Sequence, residues 1–192
     1  MNITKLLGLI SGTAGTPHKP DRLDIQADFA GLVTRFQGPL FGFLGRMGFA
    51  QAQAEDLAQE TFLRAWQNLA QYDAQRGEFS TWLFTIARNL AINERHRAAN
   101  QHEVWEGLAP MDRPSAEPEP AELLARAQQR EQLQRALTQL AVADRCVLAL
   151  AYISDLDLAS IARIEDCTAG AVKTRLHRAR TRLSEILENP NA

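Results

Sequence analysis

Leu158-Ala159-Ser160-Ile161-Ala162-Arg163-Ile164-Glu165-Asp166-Cys167-Thr168-Ala169-Gly170-Ala171-Val172-Lys173-Thr174-Arg175-Leu176-His177-Arg178-Ala179-Arg180-Thr181-Arg182-Leu183 is the stretch on which the reading of the chain turns. It predicts a short helix, a tight turn and a longer helix. Leu158, Ile161, Ala162 and Ile164 supply the inward side of the first helix. Thr168 is placed to cap the second, because its hydroxyl can accept from the open N–H groups of a first turn. Val172, Leu176, Ala179 and Leu183 follow at spacings of four, three and four, so one side of that helix packs inward. The other side presents Lys173, Thr174, His177, Arg178 and Arg180. Residues 168–183 carry five Lys or Arg and no acid. A helix of this size and charge suits a DNA major groove, where Lys and Arg approach phosphates and can donate to guanine edges. The ordinary alternative is a surface helix with a solvated basic face, against which the small preceding helix and short turn argue. The turn lacks the glycine common in such motifs. His177 is read as facing the groove, since no second ligand stands at metal spacing.

Working outward, four of the eight prolines (Pro110, Pro114, Pro118 and Pro120) fall in one short stretch with Glu117 and Glu119. Proline removes a backbone donor and disfavours helix in the residue before it. Residues 98–121 therefore read as a flexible acidic linker; six acids and one Arg lie within 98–122. On its far side, Leu123, Leu124, Ala127, Leu133, Leu137 and Leu140 recur at helical spacing. On its near side, Leu57, Ala58, Thr61, Ala65, Trp66 and Leu69 form one stripe, and Trp82, Leu83, Ile86, Ala87, Leu90 and Ala91 another. Ser80 or Thr81 is the expected cap of the latter. Trp66 and Trp82 read as core, and Phe79 as a loop residue. No run of alternating β-branched residues is visible, so the fold class is all-α: two small helical bundles joined by a tether.

The bulk numbers agree with a folded chain. Hydrophobic residues make up 45% of 192, enough for cores. The net charge of −2 says nothing about a nucleic-acid partner; its local distribution does. Cys146 and Cys167 lack the spacing of a disulfide framework or zinc site and read as small, partly buried side chains. No apolar run approaches the ~20 residues of a membrane span. Lys5 followed by Leu6-Leu7-Gly8-Leu9-Ile10 is too short for a signal peptide core. Residues 1–26 are expected to be a poorly ordered extension, and the protein soluble and cytoplasmic.

In the N-terminal half, Asp56, Gln59, Glu60 and Leu63 stand three and four apart, hence on one helix side. Acidic and amide groups with one Leu suit a charged partner better than a core. Further on, Asn89, Asn93 and His96 share a face opposite Leu83, Ile86 and Leu90. Asn carries donors and an acceptor, so it can bond an exposed base edge.

The stretch Ile161–Cys167 with Gly170–Arg180 resembles region 4 of extracytoplasmic-function sigma factors, a subfamily of the sigma-70 RNA polymerase sigma factors. Asp56–Trp66 is similar to their region 2.2, Tyr72–Leu83 to the loop before region 2.4, and Ile86–Arg97 to region 2.4. The resemblance covers about 28–97 and 122–187 in family order. It implies sigma region 2 over 27–97, a linker over 98–121, and a helix-turn-helix region 4 over 122–188. The short intervening segment leaves no room for the bulky region 3 of housekeeping factors. The resemblance further implies that Asp56, Gln59, Glu60 and Leu63 dock on the β′ clamp helices of core RNA polymerase. Arg88, Asn89, Ile92 and Asn93, Asn89 foremost, would hold a flipped base of the promoter −10 element. Lys173, Thr174, His177 and Arg178 would read the −35 element, with Arg175 and Arg180 contacting backbone or packing. Family membership implies an anti-sigma partner, no catalytic residue, no metal or other cofactor, and no small-molecule substrate.

The geometry closes. A 24-residue linker reaches at most ~80 Å, and promoter elements two helical turns apart lie roughly 70 Å from each other. Three rivals are distinguishable. A stand-alone helix-turn-helix regulator would bind promoter duplex tightly without polymerase. An adaptor that binds polymerase alone would be indifferent to loss of Lys173 and Arg178. A hydrolase or metal enzyme would need a nucleophile–base spacing, P-loop or HExxH pattern, and none is found.

Overall fold

The computed structural model describes residue 25, residues 28–100 and residues 120–189, without the side chains of 99, 100, 120–127 and 130. The described residues form seven α-helices and no strand: α1 Phe29–Met47, α2 Gln51–Gln67, α3 Phe79–Asn100, α4 Pro120–Thr138, α5 Val142–Tyr152, α6 Leu158–Ile164 and α7 Ala169–Glu188, with one 3₁₀ turn at Leu69–Gln71. The expected all-α class stands. The expected extension over 1–26, apart from Ile25, and residues 101–119 of the expected linker lie outside the described residues. Both ends of that linker are helical, since α3 runs to Asn100 and α4 starts at Pro120. Proline is tolerated there because a first-turn N–H has no intrahelical partner.

In the first bundle, α1 buries Leu32, Phe36, Leu40, Phe43, Leu44 and Met47 along one stripe. It ends at Gly48, whose φ of 99° is the left-handed conformation that closes a helix and lets its N–H donate to Gly45 O at 3.1 Å. The chain can then turn at once into α2, where the Gln53 side chain accepts from the Ala50 N–H at 3.3 Å. Small residues, Ala54, Ala58, Thr61 and Ala65, face inward on α2 and bring it close to its neighbours. Phe79 opens α3 as a fully buried core residue, with ring centroids 5.6 Å from Tyr72 and 5.8 Å from Trp82. It is not a loop residue, and neither Ser80 nor Thr81 caps the helix, which begins before both. The Trp82 N–H already donates to Glu78 O at 3.2 Å, which places the helix start ahead of Ser80.

In the second bundle, α5, α6 and α7 enclose Val147, Leu150, Ile161 and Ile164; α4 adds Leu133 and Leu137, and the turn after it Leu140. Val172, Leu176, Ala179 and Leu183 are all buried, as their spacing requires. Leu158 departs from expectation: it is 38% exposed, because the cap geometry at Asp157 turns the first residue of α6 outward.

The bundles are packed on one another, beyond what a tether alone would give. The buried apolar residues of both halves form one continuous core. Helix α1 lies against α5, and α3 against α6. The α1–α5 approach is close: a Cβ on Gly42 would sit 2.5 Å from Cγ2 of Ile153. Only glycine at position 42 lets the β-branched Ile153 seat itself.

Candidate nucleic-acid and protein interface

Three helices each present one distinct outward face. The first is on α2. Asp56, Gln59 and Leu63 are exposed and Glu60 half-buried. Leu63 is 50% exposed and Trp66, one turn on, 46%. Trp66 is therefore not core: its ring meets Phe29 edge to face, centroids 5.1 Å apart, and nearly half of it remains exposed. Its place three residues after Leu63 was the available sign. Glu60 accepts from Nε of Arg64 at 2.6 Å, an exposed pair of small energetic worth. This face is an acidic stripe ending in an apolar step, a combination suited to a protein partner.

The second face is on α3 and the loop before it. Asn89 and Asn93 are exposed and Ile92 is half-buried between them. The loop is held in place: the Tyr72 hydroxyl donates to Gly77 O at 3.1 Å. Burial first, then the carboxylates of Glu78 and Asp73, raise the Tyr72 pKa and keep it a donor. Arg88 differs from its neighbours. Its Nε donates to Oε1 of Glu165 at 2.6 Å, across the two bundles. Burial opposes its charge most, but the hydrogen bond to Glu165 and the attraction of that carboxylate together outweigh it and raise its pKa. Trp82 is half-buried against Tyr72 and Phe79, as expected of a core aromatic.

The third face is on α7. Thr168 caps the helix, its Oγ1 accepting from Ala171 N at 3.1 Å. Lys173, Thr174, His177 and Arg178 are all exposed on the side opposite the buried stripe. The Thr174 hydroxyl donates back to Gly170 O at 3.0 Å. Arg175 and Arg180 are tied inward, to Glu165 Oε2 at 3.3 Å and the Tyr152 hydroxyl at 3.1 Å. The turn between α6 and α7 manages without glycine because Asp166 takes a φ of 51°. Aspartate is among the few side chains that tolerate this conformation.

Comparison with known proteins decides what the three faces share. The sigma-70 region 2 model matches residues 32–101, and the sigma-70 region 4 model residues 130–183. The chain belongs to the extracytoplasmic-function sigma factors of the sigma-70 family. It is 31% identical to the ECF RNA polymerase sigma factor RpoE of Cereibacter sphaeroides over 83% of this chain and 86% of that one. It is 32% identical to the ECF sigma factor SigW of Bacillus subtilis over 85% and 91%. Among solved structures, the sigma factor RpoE of Bartonella quintana, crystallised with the anti-sigma factor NepR, superimposes with a TM-score of 0.67 at 25% identity over 84% of this chain and 97% of that one. ECF sigma factors are non-enzymatic initiation factors that bind core RNA polymerase and promoter DNA. Among the described residues of this one, no helix is long and apolar enough to cross a membrane.

One residue of the interface escaped the sequence reading. Glu165 accepts from Arg88, Arg175 and the thiol of Cys146, the last at 3.1 Å, with its side chain only 3% exposed. An acid four residues after Ile161, just past the end of α6 and in line with its buried side, was its only trace.

Proposed function

We propose that this sigma factor divides its work as its faces do. The bundle of residues 27–97 grips core polymerase through Asp56, Gln59, Glu60 and Leu63 on the β′ clamp helices. It also holds an extruded −10 nucleotide with Arg88, Asn89, Ile92 and Asn93. The bundle of residues 122–188 lays Lys173, Thr174, His177 and Arg178 along the −35 duplex. The observation that carries this reading is the exposed pair Asn89 and Asn93 on α3 beside a loop fixed by Tyr72. Capturing an unpaired base there offsets the cost of unstacking it. Initiation is then differential binding of the open promoter, with no covalent step. Solved relatives in complex with anti-sigma factors support a similar inhibitory partner for this chain. The place of work is the cytoplasm.

Run-off transcription with core polymerase on a promoter library tests the proposal. Asn89→Ala is expected to impair strand opening, read by permanganate footprinting, more than initial docking. Lys173→Ala with Arg178→Ala is expected to abolish promoter-specific initiation and reduce the salt dependence of binding by about two phosphate contacts. Tight binding of promoter duplex by the chain alone would instead favour a stand-alone regulator.

A further inference from the structure

A carboxylate removed from water needs donors in return. Glu165, at the end of α6, has four, from three side chains. Arg88 gives two, Nε at 2.6 Å and Nη2 at 3.4 Å; Arg175 gives Nη1 at 3.3 Å; Cys146 gives its thiol at 3.1 Å. Arg175 and Cys146 belong to Glu165's own bundle. Arg88 crosses from the other one, and it is among the residues proposed to hold the −10 strand. A second contact covers the same region: Nη1 of Arg163, also on α6, donates to Arg76 O at 3.0 Å in the loop before α3. Helix α6 thus lies on the −10 reader, with Glu165 occupying the guanidinium that a DNA phosphate or base would otherwise take.

The packed arrangement also sets a length. Arg88 and Arg175 share one carboxylate, so α3 and α7 are held within side-chain reach of each other. A compact body of this chain length is about 40 Å across, whereas the two promoter elements lie roughly 70 Å apart. The packed chain cannot touch both. The interface is also imperfect. A crevice of about 130 Å³ lies between the bundles, lined among others by Phe36, Glu78, Ser154 and Asp157. The buried Ser154 hydroxyl has no hydrogen-bond partner among the described residues.

We propose that Glu165 is an intramolecular latch: it holds Arg88 in a packed, self-inhibited form, and engagement of polymerase and promoter must break that contact. The inference rests on the function proposed above. It assigns the chain a brake of its own, distinct from any inhibitory partner. A latch that keeps most molecules packed lowers apparent promoter affinity by the fraction left open.

The test uses the full-length protein. Glu165→Gln keeps the side-chain shape and removes the charge. With helix content intact, it is expected to increase the radius of gyration in small-angle scattering and to raise initiation at limiting sigma factor about threefold or more. A merely structural role would lower initiation instead. An unchanged radius with equal or lower initiation overturns the latch. Should Glu165→Gln fail to fold, the wild-type chain decides. Cys146 is buried beside the latch, and its alkylation, followed by peptide mass spectrometry, is expected to be slow in the free chain and several-fold faster in the core–promoter complex. Equal protection in both overturns the proposal. Wild-type protein that fails to direct initiation at all would sink the functional reading itself, a separate result.

Discussion

Individual side chains carry much of the turn geometry around the recognition helix. Asp166 sits at φ 51°, where a β-branched residue is strained. Asp166→Val is expected to destabilise the fold by about 1–2 kcal/mol in thermal or chemical melts, while Asp166→Gly leaves it nearly unchanged. Asp157 caps α6 by accepting from Ser160 N at 2.7 Å, and this bond first, helped by the charge of Arg163, holds its pKa below the ordinary 3.8. A carboxylate whose folded pKa is depressed contributes stability above its unfolded value and loses it as the pH falls through the folded one. Asp157→Ala is therefore expected to cost about 1 kcal/mol near neutral pH, and the gap to wild type to close in acid, below the usual aspartate range. Coincident stability differences at neutral and acid pH would remove the cap from the account.

Whole helices were more legible from sequence than the positions at their edges. The four-three-four spacing of Val172, Leu176, Ala179 and Leu183 fixes which side of α7 is buried, because a helix offers only one such stripe. The same logic placed Lys173, Thr174, His177 and Arg178 in water. Periodicity tells which side is apolar but not what covers it. That is why Trp66 and Leu158, each at an apolar spacing, prove substantially exposed. Glu165 and Arg88 are 77 residues apart, and no local pattern encodes such a pair. The misplacement of Trp66 has a use. With Leu63 it extends the acidic stripe of α2 by an apolar step, and buried aromatics at interface centres carry much of the binding energy. Trp66→Ala is expected to weaken association with core polymerase about tenfold, measured by fluorescence anisotropy, with little change in helix content.

At the scale of the molecule, the two bundles share one core, so they should melt together. Gly42→Ala drives a methyl group into Ile153 at the α1–α5 contact. Overpacking of this kind costs about 1–3 kcal/mol. It is expected to split one calorimetric transition into two, as the bundles come apart and unfold separately; a single sharpened transition would show that they do not depend on this seat. The close fit of Gly42 under Ile153 has a colloidal consequence. Once the halves separate, the greasy skin of α1 and α5 is wetted, and exposed apolar patches of this kind invite self-association. A version locked open should cloud in a light-scattering cell unless core enzyme is supplied to shield it, so that company, rather than solvent, is where the extended shape can persist.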